Sequence, residues 1–189
     1  DGILLMNSTD NNILNNYITD IMYGETIAYS PAICLADCAG GNRIQDNKLT
    51  NSSIGVYLFN SSSNVVFKNS FENDFRALHI ENCTYNTVLD NNVEYTNWVA
   101  IDLSGSGGTL LYHNNFYTTT IQTYEAHWNQ WYYGGIPEGN YWATYTGYDT
   151  NGDGIGDTNI PHLGLDWYPL MNPWVYMGDK APPVADAGP

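Results

Sequence analysis

Five segments of this chain repeat one pattern at nearly constant spacing, and no other feature restricts its fold as strongly. They are GILLMNSTDNNILNNYI from Gly2, AICLADCAGGNRIQDNKL from Ala32, GVYLFNSSSNVVFKNSF from Gly55, ALHIENCTYNTVLDNNV from Ala77 and AIDLSGSGGTLLYHNNF from Ala100. The consensus is small-apolar-x-apolar, a polar turn, then Asn-x-apolar-x-x-Asn-x-apolar. Its second asparagine falls at Asn16, Asn47, Asn69, Asn91 and Asn114, at successive spacings of 31, 22, 22 and 23 residues. The longer first interval carries an insertion around Met22 to Ser30. A sustained period of this size means stacked repeats, each too small to bury its own apolar face.

Such a period fits leucine-rich repeats or a β-solenoid, and the side-chain pattern decides between them. Val56 and Leu58, Leu78 and Ile80, and Ile101 and Leu103 alternate with Tyr57, His79 and Asp102, which is strand periodicity. No apolar face recurs at helical spacing, and β-branched and aromatic residues hold the apolar positions. The leucine-rich signature is not matched. Three short strands and three turns account for one repeat. The expected fold is all-β: a right-handed parallel β-helix of about five coils of 22–23 residues over residues 1–116, with coils stacked about 4.8 Å apart. The five asparagines then form a ladder, each amide bonding the next and holding the turn backbone. Asp1-Gly2 lies inside a repeat, so further coils are expected upstream. The open edge of the first coil would need those coils, a stacked neighbour or a second protomer.

The repeated Asn-x-[Ile/Val]-x-x-Asn-x-[Ile/Val/Phe] coils, followed by GNYWATYTGYDTNGDGIGDT and DWYPLMNPW, resemble the NosD-type β-helix repeat proteins. The resemblance covers roughly residues 1–176 and implies an exported protein of the kind found in bacteria and on the surfaces of methanogenic archaea. The closing APPVADAGP resembles the start of a PKD-type β-sandwich, so residues 177–189 are expected to be a linker or the opening of such a domain. The NosD name is associated with copper. Here, however, His79, His113, His127 and His162 are scattered, and Met6, Met22, Met171 and Met177 form no Met-x-x-Met motif. Clustered imidazole or soft sulfur ligands are what copper requires, so copper delivery is not carried over to this chain.

From Tyr117 the periodicity ends. His127 to Tyr133 and Asn140-Tyr141-Trp142 crowd aromatics into a stretch rich in Gly134, Gly135, Pro137 and Gly139. The last coil of a solenoid exposes interior and strand edges that must be covered. Residues 117–176 are therefore expected to be an aromatic, loop-rich C-terminal cap, with Trp128, Trp131, Trp142, Trp167 and Trp174 as the lid. The alternative for these tryptophans is a sugar-binding platform, since flat rings stack on pyranoses. Within the cap, Asp149, Asn151, Asp153, the Ile155 carbonyl and Asp157 occupy alternating positions of an EF-hand-like loop, with Gly154 at the sharp turn. Ile160 stands where that loop carries its bidentate Glu, so Asp166 is expected to supply the last carboxylate. The expectation is a structural Ca²⁺; the alternative is a Gly/Asp-rich turn without metal.

Only 5 Lys and Arg stand against 20 Asp and Glu, a net charge of −15. That surface repels phosphate backbones, anionic lipid and acidic polysaccharides, which sets nucleic acid aside as a partner. No apolar run is long enough to span a membrane in this segment. Cys34, Cys38 and Cys83 are an odd set: candidate interchain links, or small buried residues standing in for Ser or Val. Asn7, Asn51, Asn60 and Asn82 head four glycosylation sequons, three of them just after the first strand of a coil. Asn-Ser-Ser is equally good turn chemistry.

Parallel β-helices host enzymes on one outward sheet face, and the outward column here reads Leu4, Cys34, Tyr57, His79, Asp102. His79 beside Asp102 is the one acid–base pairing that the repeat places together. The few cations and the unlike coil positions of Asp74, Asp90 and Asp102 speak against a uronate lyase or a paired-acid hydrolase. The function expected is a structural or adhesive module at the cell surface, in an S-layer, sheath or filament. Its partners would be further copies, neighbouring surface domains or glycans. A carbohydrate-binding or carbohydrate-active domain is the alternative.

Overall fold

A computed structural model describes residues 1–22, 30–117, 123–125 (backbone) and 128–176. The first coil runs through β1 (Ile3–Met6), β2 (Asn12–Leu14) and β3 (Tyr17–Thr19). The second is β4 (Pro31–Ala36), β5 (Arg43–Gln45) and β6 (Lys48–Thr50), and the third is β7 (Ile54–Phe59), β8 (Val65–Phe67) and β9 (Ser70–Glu72). Next come β10 (Arg76–Glu81), β11 (Thr87–Leu89) and β12 (Asn92–Glu94), then β13 (Val99–Leu103), β14 (Leu110–Tyr112) and β15 (Asn115–Phe116). The chain ends its regular structure with β16 (Thr123–Glu125) and β17 (Tyr141–Trp142).

These strands form three parallel sheets, ordered β1-β4-β7-β10-β13-β16, β2-β5-β8-β11-β14 and β3-β6-β9-β12-β15-β17. From β1 to β13 the chain completes about four turns of an all-β solenoid. The insertion over 22–30 lies largely outside the described residues, as does the PKD-like segment 177–189.

Register follows from the apolar positions of the repeat. In the first sheet Ile33 pairs with Ile3 and Val56, and Leu78 pairs with Val56 and Ile101. In the second, Ile13, Ile44, Val66, Val88 and Leu111 align. In the third, Ile18, Leu49, Phe71, Val93, Phe116 and Trp142 align. The three columns meet in one continuous core. A one-residue slip would turn every column to solvent, so burial holds the register.

Polar columns run beside the apolar ones. Asn16 gives its backbone N–H and its Nδ2 to Asn47 Oδ1, both at 2.9 Å. Asn47 repeats this on Asn69 at 3.0 and 2.9 Å, Asn69 on Asn91 at 2.9 and 3.1 Å, and Asn91 on Asn114 at 3.1 and 2.9 Å. From Asn47 to Asn91 the Nδ2 group also reaches a carbonyl of the preceding coil, such as Ile44 for Asn69 at 2.9 Å, whereas Asn16 reaches Leu14 of its own coil. The first asparagine of the motif builds a second ladder, Asn11 to Asn42 to Asn64 to Asn86. A third column is built on hydroxyls and thiols: Cys38 N–H donates to Ser61 Oγ at 2.9 Å, Ser61 N–H to Cys83 Sγ at 3.2 Å, and Cys83 N–H to Ser106 Oγ at 3.0 Å.

That third column matches the reading of the cysteines as small buried residues. Cys38 and Cys83 occupy serine positions inside the stack, and Cys34 is buried on β4. Burial pushes the Cys34 and Cys83 thiols up to about 11, far from the thiolate that exchange requires. A disulfide-exchange reagent is expected to titrate these cysteines only after denaturant is added. A thiol that reacts at once in the native protein would contradict the buried column.

Candidate functional site

The long sheet carries the outward column that the repeat defines. Pairing places Cys34 beside Leu4 and Tyr57, and His79 beside Tyr57 and Asp102. Further residues that the repeat did not single out join it: Arg76 and Glu81 from the two ends of β10, and Ser104 after β13. His79 Nε2 lies 3.6 Å from Asp102 Oδ2 and 3.8 Å from Glu81 Oε2. Its ring stacks on Tyr57, with centroids 4.8 Å apart and planes at 25°. Tyr57 donates its hydroxyl to Glu81 Oε2 at 2.5 Å. Arg76 Nε is 3.7 Å from Asp102 Oδ2, and its guanidinium lies 4.2 Å over the Trp98 ring. Ser104 donates its hydroxyl to Asp102 Oδ1.

The repeat thus placed His79 and Asp102 together, and the structure buries both. His79 is only 2% exposed and Asp102 only 6%. Burial lowers the His79 pKa and the Arg76 charge lowers it further, against the opposing pull of Asp102 and Glu81. A neutral imidazole packed among Tyr57, Arg76, Glu81 and Asp102 can hold the coils in register. General acid–base work would require reach to a substrate proton as well.

The Asp/Gly-rich loop is organised by its own amides. Asp149 accepts from the backbone N–H groups of Gly152 at 2.6 Å, Gly154 at 2.8 Å and Asn151 at 3.2 Å. Asn151 Oδ1 takes Asp153 N–H, and Asp153 Oδ1 takes Ile155 N–H, both at 2.9 Å. Thr150 gives Asp157 Oδ2 both its N–H and its hydroxyl, at 2.7 and 2.6 Å. These bonds hold the Asp149 and Asp157 carboxyls below the usual range. Gly152 and Gly154 supply the positive φ values of 84° and 90° that the turns need.

Asp166 is not part of this loop. Its Oδ2 accepts from Asn140 N–H at 2.8 Å, Asn140 Nδ2 at 3.3 Å and Trp142 Nε1 at 2.8 Å, and its Oδ1 from Tyr168 N–H at 3.0 Å. Asn140 Oδ1 in turn takes both donors of Asn114, at 3.1 and 2.9 Å. Asn140 is thus a sixth rung and Asp166 the terminal acceptor of the ladder. The signal for Asn140 was present in Asn140-Tyr-Trp142, which repeats the Asn-x-apolar end of the coil motif. No group of three His, Cys, Asp or Glu able to hold a metal occurs among the described residues. Of the six expected calcium ligands, Asp166 is thus held elsewhere and closes the ladder, while Asp149, Asn151, Asp153 and Asp157 accept from amides of their own loop.

The five tryptophans expected to form a lid divide. Trp131 and Trp142 are 1% exposed and belong to the core, with Trp142 stacked on Phe116 at 4.3 Å and 21°. Trp174 stacks on His113 at 3.4 Å and 14°, and its backbone exchanges hydrogen bonds with the Asn115 side chain at 2.6 and 2.9 Å. Trp128 and Trp167 stand out in solvent. The sequon asparagines Asn7, Asn51, Asn60 and Asn82 are all exposed at left-handed φ, between 47° and 54°. Asn tolerates that region best among residues with a Cβ, so turn geometry accounts for all four. In the Asn51 sequon the hydroxyl of Ser53 is buried and accepts from Ser30 N–H at 3.5 Å.

A parallel solenoid with asparagine ladders is thus in place over the repeat, and residues 1–147 match the family model described as periplasmic copper-binding protein (NosD). The chain belongs to the NosD family. Neither a curated protein nor a solved structure matches it. The family description is periplasmic, which agrees with an exported protein in that coarse sense.

Copper, the other half of the NosD description, does not fit the residues present. His113 contacts Glu138 through Nε2 at 2.8 Å and Asp90 through Nδ1 at 3.6 Å, so the two carboxylates lie on opposite ring nitrogens and do not converge. His162 Nε2 meets the Thr144 hydroxyl at 3.2 Å. His79 lies in the network described above. His127 and Met177 fall outside the described residues. No group of three His, Cys, Asp or Glu that could hold such an ion is formed among the described residues.

Proposed function

We propose that this chain is a structural module of an exported protein, a rod segment of a cell envelope or surface coat. One observation carries the reading: three parallel sheets stack coil on coil around one continuous apolar core and are tied by an asparagine ladder that runs from Asn16 to Asn140 and closes on Asp166. Each coil is held by its neighbours through all three sheets, so load along the stack is shared among the rungs. The withdrawn position of His79 and Asp102 supports a structural rather than catalytic use of the long sheet.

Stretching the chain between two reporter domains in a single-molecule force experiment is expected to show the coils resisting extension, and Asn69→Ala, which removes a buried rung, should yield at lower force. A wild-type chain that unravels without measurable resistance would overturn the proposal.

A further inference from the structure

Trp128 and Trp167 are 73% and 52% exposed, which is unusual for the largest apolar side chain on a chain of net charge −15. They line adjoining grooves. One, of about 470 Å³, is bordered by Trp128, Asn129, Gln130, Trp131, Gly164 and Trp167. The other, of about 440 Å³, is bordered by Tyr85, Gly108, Trp128, Gln130 and Tyr133. Trp128 and Gln130 belong to both, so the two grooves form one strip. Among the described residues, no Asp, Glu, Lys, Arg or His lines either part.

The strip is built rather than incidental. Gly108 holds a left-handed φ of 66°, and a Cβ there would press within 2.9 Å of the Tyr85 ring and 3.5 Å of the Trp128 ring. Tyr85 and Trp128 meet edge to face, with centroids 6.4 Å apart. Gln130 is anchored to the last coil by its backbone, N–H to Thr109 O at 2.9 Å and carbonyl to Leu111 N–H at 2.8 Å. Its amide Nε2 is further fixed on Tyr132 O at 2.9 Å.

We infer that this strip, from Tyr85 through Trp128 to Trp167, binds a neutral oligosaccharide. Flat, rigid aromatic faces offer a large stacking area at low entropic cost and match the C–H face of a pyranose. The Gln130 amide, set between them, meets ring hydroxyls. An uncharged lining on an acidic molecule selects against uronates and sulfated sugars, which the surrounding carboxylates repel. Two grooves sharing one tryptophan require a ligand of at least two rings. The structural reading rests on the coil stack and its ladder, so failure of the strip to bind a glycan would leave that reading intact.

Native affinity electrophoresis through gels containing a β-glucan, a mannan or a xylan tests this, with polygalacturonate as the charged comparison. Retardation by a neutral polysaccharide and none by polygalacturonate is expected, with tryptophan fluorescence shifting as the matching oligosaccharide is added. Trp128→Ala should weaken binding about tenfold or more, and Trp128→Phe should retain most of it. Both variants should melt like the wild type, because the ring is largely in water. The inference falls if no neutral glycan retards the protein, if polygalacturonate does so equally, or if Trp128→Ala binds normally. It falls equally if the wild type forms dimers that Trp128→Ala abolishes, which would make the strip a protein contact.

Discussion

Replacing Asn69 by Ala should lower stability by about 4 kcal/mol, the sum of several buried groups left without partners at about 1–3 kcal/mol each. Asn69 is buried in mid-ladder and joins six hydrogen bonds. It accepts from Asn47 N–H and Nδ2, and it donates to Asn91 Oδ1 twice, to Ile44 O and to Phe67 O. Alanine orphans the Asn47 donors and the Ile44 carbonyl where water cannot reach. For a chain of this size that loss corresponds to a fall in Tm of about 8–16 °C. Asn16→Ala is the internal comparison. Asn16 sits on the first rung, half-exposed, with no described donor to its Oδ1, so its loss should cost less than about 1 kcal/mol. Thermal melts of the two variants side by side decide the matter. Equal shifts would mean that the ladder contributes no more in the interior than at the rim.

The second large effect concerns Asp74, whose side chain is fully buried in the turn after β9. Its Oδ1 accepts Ser52 N–H at 2.8 Å, and no described residue donates to its Oδ2. Burial raises its carboxyl from 3.8 to about 8, against the opposing effect of the Ser52 hydrogen bond. The sign follows directly. The folded chain holds this proton where the unfolded chain has released it, so stability falls as pH rises through the window from about 4 to about 8.

At about 1.4 kcal/mol per unit, the loss by neutral pH is about 4 kcal/mol. Asp74→Asn keeps the Ser52 bond and removes the titration. It should therefore melt about 8–16 °C above the wild type at neutral pH, converging with it near pH 4. Melting both proteins across that range is the measurement. A gap that does not change with pH would show that ionisation of Asp74 is not its source.

How much of this was legible in the chain varies by residue. Ile44, Val66 and Val88 could be placed on one column because strand period and coil period leave a single phase in which all three are inside. Asn47, Asn69 and Asn91 followed for the same reason: a polar residue that recurs in register with a core must bond its own copies. Asn140 and Asp166 escaped because they lie beyond the repeat and are joined to it only through space. The cysteines were ambiguous by type, since nothing local distinguishes a thiol in a serine column from one on the surface. His79 and Asp102 were correctly paired by register. Their burial depends on Arg76, Glu81 and the packing of Tyr57, none of which the spacing reveals.

Periodicity alone thus determined that the chain winds into a parallel solenoid, which positions are core and which asparagines stack, because each of these repeats with the coil. Only the tertiary structure decided where the ladder stops, which tryptophans are core and which face water, and that the loop carboxylates bind their own amides. Those outcomes rest on contacts between segments that share no period, where burial and hydrogen-bond satisfaction are settled by the neighbours that folding supplies.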